Sequence, residues 1–171
     1  VYFLSDSRQP DENAIRACVS SALGITFSPE DRDADYFVLR FSPPESKDSA
    51  IEHYMVRVPT GVFAVLVSDQ PYIDNPKKFA RESIRDKRLR SAIENHTAWV
   101  SVDLMEEPQH PDQLEAAYAT VGKILAAMAG PDCLAIYSPS LQRCNEFDLS
   151  LIEPLSQGKP LSIFNEPTFE P

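Results

Sequence analysis

The stretch "HTAWVSVDLMEEPQHPDQLEAAYATVGKILAAMAGPDCLAIYSP", His96 to Pro139, decides how this chain folds. Its first part, Thr97 to Met105, alternates Trp99, Ser101 and Asp103 with Val100, Val102 and Leu104. That period of two belongs to a strand with two unlike faces. Leu114, Ala117, Tyr118, Val121, Leu125 and Met128 then recur at helical spacing. Pro111 suits the first turn of a helix and Gly130-Pro131 stops it. "CLAIY", from Cys133, is continuously apolar, as in a buried strand. A strand, a long helix and a strand form a crossover that allows a parallel pair.

Working outward, "YFL" at Tyr2 predicts a short buried strand. Asp11 and Glu12 suit a helix N-terminus, and Ile15, Cys18, Val19, Ala22 and Leu23 share one apolar face that Gly24 ends. Asp35–Ser42 is aromatic and β-branched, hence a strand. The loop with Pro43 and Pro44 cannot donate to a ladder at the prolines. Tyr54, Val56 and Val58 alternate with Met55 and Arg57, which predicts a strand with one wet face. "PTG" turns it into Val62–Val67, whose continuous apolarity predicts a central strand covered on both sides. Asp74–Asn95 reads as one helix lying at the edge of the core, with Phe79, Ile84, Leu89 and Ile93 as untidy anchors. After Pro139 a short helix and a short terminal strand are expected, and residues 165–171 read as a frayed tail.

The element order predicts an α+β fold: a two-layer sandwich, with helices on one side of a mixed sheet. Its layout is ferredoxin-like with extra strands. At 171 residues the chain suits one domain, expected to be excised from or part of a longer chain. Val65, Val100, Val102, Tyr118, Val121, Leu125, Leu134 and Ile136 are the expected core.

Residues 75–148, through "HTAWVSVDL", "LEAAYATVGKILAAMAG" and "CLAIYSPSLQRCNEFD", resemble the second half of an uncharacterised bacterial domain-of-unknown-function family. The resemblance implies ferredoxin-like α+β halves and supplies no catalytic residue.

Charge narrows the function. The net charge is −10, which repels nucleic-acid phosphates and anionic lipid on average. No run of 18 apolar residues offers a membrane span, and "VYFLSDSRQP" lacks the basic and apolar regions of a signal peptide. Cys18, Cys133 and Cys144 match no zinc spacing, so they read as small hydrophobes in a reducing, cytoplasmic setting. One segment opposes the global charge. Lys77–Arg90 holds seven of sixteen basic residues and two of twenty-six acidic ones, leaving nine cations against twenty-four anions elsewhere, a net −15.

Candidate chemistry is sparse. His96 stands where a general base would be useful, at a helix–strand junction, yet it equally suits a helix end whose dipole favours it, and the structural role is expected. With Ser138 and Cys144 it makes the candidate polar site of an enzyme reading. No GxSxG elbow surrounds Ser138, and Pro139 follows it. His53, His96 and His110 have no metal-ligand spacing, and five glycines form no phosphate-cradling loop. Neither cofactor nor metal is expected. The leading expectation is a non-catalytic binding or protein-interaction module. It would act on another protein, or on itself through an edge strand, with no nucleic acid or membrane. A second alternative is an anion or nucleic-acid binder using Lys77, Lys78, Arg81, Arg85, Arg88 and Arg90.

Overall fold

A computed structural model describes residues 1–27, 36–41, 50–106, 108 and 110–164. The Pro43-Pro44 loop and the tail from 165 lie outside the described residues. The strands are β1 Tyr2–Leu4, β2 Phe37–Phe41, β3 Ile51–Val58, β4 Gly61–Ser68, β5 Ala98–Leu104, β6 Cys133–Ser138 and β7 Arg143–Glu146. The helices are α1 Glu12–Leu23, α2 Pro76–Ser83, α3 Lys87–Asn95, α4 Pro111–Met128 and α5 Ile152–Ser156. The strands build one sheet in the order β2-β3-β4-β5-β1-β6-β7.

The chain is α+β, as the element order predicts. Two finer expectations fail. Every pairing among the described residues is antiparallel, so the sheet is not mixed there. β5 and β6, joined by α4, do point the same way, but β1 lies between them and pairs antiparallel with both. Nor is this a two-layer sandwich. One face carries α1, α4 and α5 over Tyr2, Leu4, Tyr54, Val56, Phe63, Val65, Val100 and Ile136. The other carries α2 and α3 over Phe3, Trp99, Ala135 and Cys144. Successive strand residues point to opposite faces, so Phe3 and Trp99 need their own cover.

Local chemistry sets the helix ends. Asp11 caps α1 by accepting from the Ala14 N–H at 2.7 Å, and Gly24 closes it at φ 66°. The single helix expected over 74–95 is two. Ile84 is extended at φ −116°, ψ 119° and buried, and Asp86 accepts from the N–H groups of Arg88 and Leu89, both at 2.8 Å, starting α3 afresh. The Arg90 guanidinium crosses the joint and donates to the Ile84 carbonyl at 2.9 and 2.6 Å. The break explains the untidy anchors: they belong to two short helices, each with its own phase.

α4 is rotated from its expected phase. Ala117, Thr120, Gly122, Ile124, Leu125 and Met128 are its buried residues, whereas Tyr118 and Val121 are half-buried. The Thr120 hydroxyl donates to the Ala116 carbonyl at 2.9 Å and shares a 2.7 Å contact with the Thr60 hydroxyl. A Cβ on Gly122 would lie 2.9 Å from the Leu155 carbonyl oxygen, so only glycine lets α5 come this close. Val65, Val100, Val102, Leu125 and Ile136 are buried as expected, and Leu134 is half-buried. Past Pro139 the strand comes first, as β7, and the stretch Pro160–Ile163 is a 3-10 turn rather than a strand.

Candidate functional site

His96 follows α3 directly, and its ring turns inward. The side chain is 2% exposed and stacks on Phe3, with ring centroids 4.7 Å apart and planes at 20°. Its Nδ1 lies 2.6 Å from the Ile93 carbonyl, and its Nε2 accepts from the Tyr72 N–H at 3.1 Å. A carbonyl only accepts and an N–H only donates, so the hydrogen sits on Nδ1. Both nitrogens are therefore used by backbone. Burial holds the imidazole below its ordinary pKa, with the Ile93 carbonyl opposing. This residue pins the Tyr72 loop to the end of α3. It offers no free nitrogen to a substrate.

The two ring nitrogens thus go to Tyr72 and Ile93 and to neither Ser138 nor Cys144. The Ser138 hydroxyl is 3.2 Å from that of Ser140, on the rim of a cavity. Cys144 is fully buried beneath α3, and burial pushes its thiol up to about 12. Cys18 and Cys133 are also held above the ordinary thiol range by burial, and none of the three cysteines forms a disulfide. Thiols so held carry little thiolate, the nucleophilic form. His53 leans on the Phe41 ring at 5.4 Å, and His110 stands exposed at the start of α4. Among the described residues no group of three or more His, Cys, Asp and Glu side chains is placed to hold a metal ion.

The basic segment is the most exposed of the sequence-predicted sites. Lys77, Lys78, Arg81, Arg85 and Arg88 are exposed, with Lys87 beside them, and Arg90 is half-buried. Arg81 reaches Glu94 of α3 at 3.4 Å, and Arg90 serves the Ile84 carbonyl. Lys77, Lys78 and Arg88 make no ion pair among the described residues. Because α2 and α3 bury Ala80, Ile84, Leu89 and Ile93 against the sheet, their cations are left pointing outward.

Three features escape sequence reading. A cavity of about 290 Å³ opens between α4, the ends of β5 and β6, and the terminal 3-10 turn, with Tyr118, Val121, Leu161 and Phe164 among its apolar walls. A polar cleft of about 340 Å³ holds the Arg40–Glu52 ion pair, with Arg8, Asp11 and Asp69. Each gathers residues from distant segments, so no spacing announces it. The third is the outer half of the sheet face that α2 and α3 only partly cover. Phe37, Leu39, Phe41, Met55, Val62 and Leu66 all lie on it and are half-buried. The expectation that Val62–Val67 is covered on both sides fails at Val62, and at Leu66 the cover is partial. No family model, curated protein or solved structure matches the chain.

Proposed function

We propose that this protein is a non-catalytic interaction module whose α2–α3 layer docks an acidic protein surface. The observation that carries the reading is the exposed set Lys77, Lys78, Arg81, Arg85 and Arg88, on a molecule that is otherwise strongly acidic. A positive patch on such a body steers an anionic partner into one orientation while the remaining surface repels it. His96, enclosed and hydrogen-bonded on both nitrogens, lends no support to an enzyme site beside Ser138 and Cys144.

The scaffold of this reading is a ferredoxin-like unit made of β1, α1, β4, β5, α4 and β6. It is supported by the sheet order β4-β5-β1-β6, with α1 and α4 on one face. In this view the β2–β3 hairpin and the α2–α3 pair are insertions, and β7 is an appended edge. Kinship of residues 75–148 with the bacterial family is part of the same proposal, as is a reducing, cytoplasmic location. The location is supported by the three unbridged cysteines, and no helix among the described residues is long and apolar enough to cross a membrane.

The test is binding of poly-L-glutamate and of duplex DNA to the parent and to Arg81→Glu/Arg85→Glu/Arg88→Glu. Poly-L-glutamate should bind the parent at low salt, weaken as the Debye length falls to about 3 Å at 1 M, and lose affinity in the triple variant. Tight DNA binding that the triple variant abolishes would replace the protein partner with nucleic acid. Absence of polyanion binding altogether would end the proposal.

A further inference from the structure

The register across β2, β3, β4 and β5 lays out the outer part of this face row by row. Phe37, Arg57 and Val62 form one row, and Leu39, Met55, Ala64 and Asp103 form the next. Phe41, His53, Leu66 and Ser101 make the third. α3 lies over β6 and β7, and the α2–α3 cluster reaches only Trp99, Ile51 and the Leu66 end of this region. Among the described residues, Phe37, Leu39, Met55 and Val62 neither belong to nor pack against either buried cluster. These apolar side chains are contiguous, and contiguous apolar surface of this kind marks an interaction site.

We propose that this face is the contact between two copies of the chain, packed sheet on sheet. The charges at its border identify the occupant. Arg57 and Asp103 are exposed, sit two strands apart on the same face, and make no ion pair among the described residues. Asp103 is held in place by the Ser101 hydroxyl, which donates to it at 2.6 Å. A two-fold axis lying in the interface and bisecting the line from Arg57 to Asp103 passes over β4 beside Ala64. It sets each copy's Arg57 over the other copy's Asp103. One cation and one anion thus become two equivalent pairs flanking Met55, as an isologous contact requires. The β2 edge is closed to the alternative of strand addition at two of its outward groups. Glu12 accepts from the Arg40 N–H at 3.0 Å and Arg16 donates to the Val38 carbonyl at 3.3 Å, while the two side chains pair with each other at 2.8 Å.

Sedimentation equilibrium on the chain and its variants tests this. The parent should be a concentration-dependent dimer, and Met55→Glu should weaken it about 30-fold or more. Arg57→Glu and Asp103→Arg should each weaken it about tenfold, and the double swap should recover most of that loss. Circular dichroism melts on each variant separate loss of association from loss of fold. Arg81→Glu/Arg85→Glu/Arg88→Glu should leave the dimer intact, which keeps this contact distinct from the α2–α3 docking surface. A parent that stays monomeric into the millimolar range overturns the proposal. So does a double swap that fails to restore what the single variants lose while its melt matches the parent's.

Discussion

The two faces of the sheet are built from the same strands yet live in different surroundings. Beneath α1 and α4, Val38, Val56 and Phe63 stand directly opposite one another across three strands, and all are fully buried. In the neighbouring row, Phe37, Arg57 and Val62 face the other way; Phe37 and Val62 are half-buried and Arg57 is exposed. The strands are almost as apolar on the second face as on the first over β2 and β4. What differs is the cover. α1 and α4 are long enough to span the sheet, whereas the α2–α3 pair breaks at Ile84, shields the β1–β6–β7 end and reaches beyond it to Trp99, Ile51 and Leu66. Apolar side chains record where a face is able to be buried, and the helices determine whether it is.

Phe63→Ala set against Phe37→Ala should show the largest difference between the two faces. Phe63 is 0% exposed, so its loss should cost about 3–5 kcal/mol by leaving a cavity. Phe37→Ala, measured by urea denaturation at protein concentrations too low for association, should cost about 1 kcal/mol or less. Equal costs would mean that the second face is covered after all.

Gly122→Ala comes next. The added methyl meets the Leu155 carbonyl and Pro160, so α5 and the terminal turn must shift away from α4. Overpacking of this kind costs about 1–3 kcal/mol and should show as a lowered Tm.

His96 ties the second face to its helices, and it predicts a pH dependence. Its native pKa lies below the ordinary value of 6.5 because burial disfavours the cation. The unfolded chain therefore takes up that proton first, and its contribution is fully present above pH 6.5 and declines as the pH falls toward the native value. His96→Phe keeps the stack on Phe3 but strands the Tyr72 N–H and the Ile93 carbonyl, at a cost of about 1–3 kcal/mol at neutral pH. Urea titrations on both sides of pH 6.5 should give a smaller difference between parent and variant at the acid end. A difference that grows with acidity would mean that the imidazole is charged in the native state.

The smallest effect belongs to the exposed α2–α3 surface. Arg81→Ala removes the pair with Glu94, and exposed pairs are worth about 0–1 kcal/mol. A larger loss would show that these cations hold the fold together, which would weaken their assignment to a partner.

Much of this was legible in the residues. The strand of Trp99 and Val100, the helix opened by Pro111 and the cap at Asp11 all announce themselves by local period or turn chemistry. The α2–α3 break was not legible, since no Gly or Pro interrupts Phe79–Ile93. Only the burial of an extended Ile84 and the cap at Asp86 make two helices better than one. The phase of α4 departs from its apolar pattern because Thr120 and Gly122, which are not large apolar residues, belong to its buried side. They face inward because Thr60, Leu155 and Pro160 meet them there. The candidate sites divide in the same way. The basic segment is contiguous in sequence, so composition found it, whereas the Phe37–Met55–Val62 surface is assembled by register and had no local signature.

Residue pattern is enough to specify the α+β class, most strand and helix spans, the acidic body and its basic segment. Each of these follows from period, capping or charge within a few residues. Only the tertiary arrangement sets β1 between β5 and β6, gives His96 two backbone partners, and, among the described residues, leaves Phe37, Leu39, Met55 and Val62 outside both buried clusters. Those outcomes depend on which segments far apart in the chain meet. An isolated strand carries no record of its neighbours beyond the apolarity of its two sides, and that apolarity is the same whether a helix, a loop or a second molecule covers it.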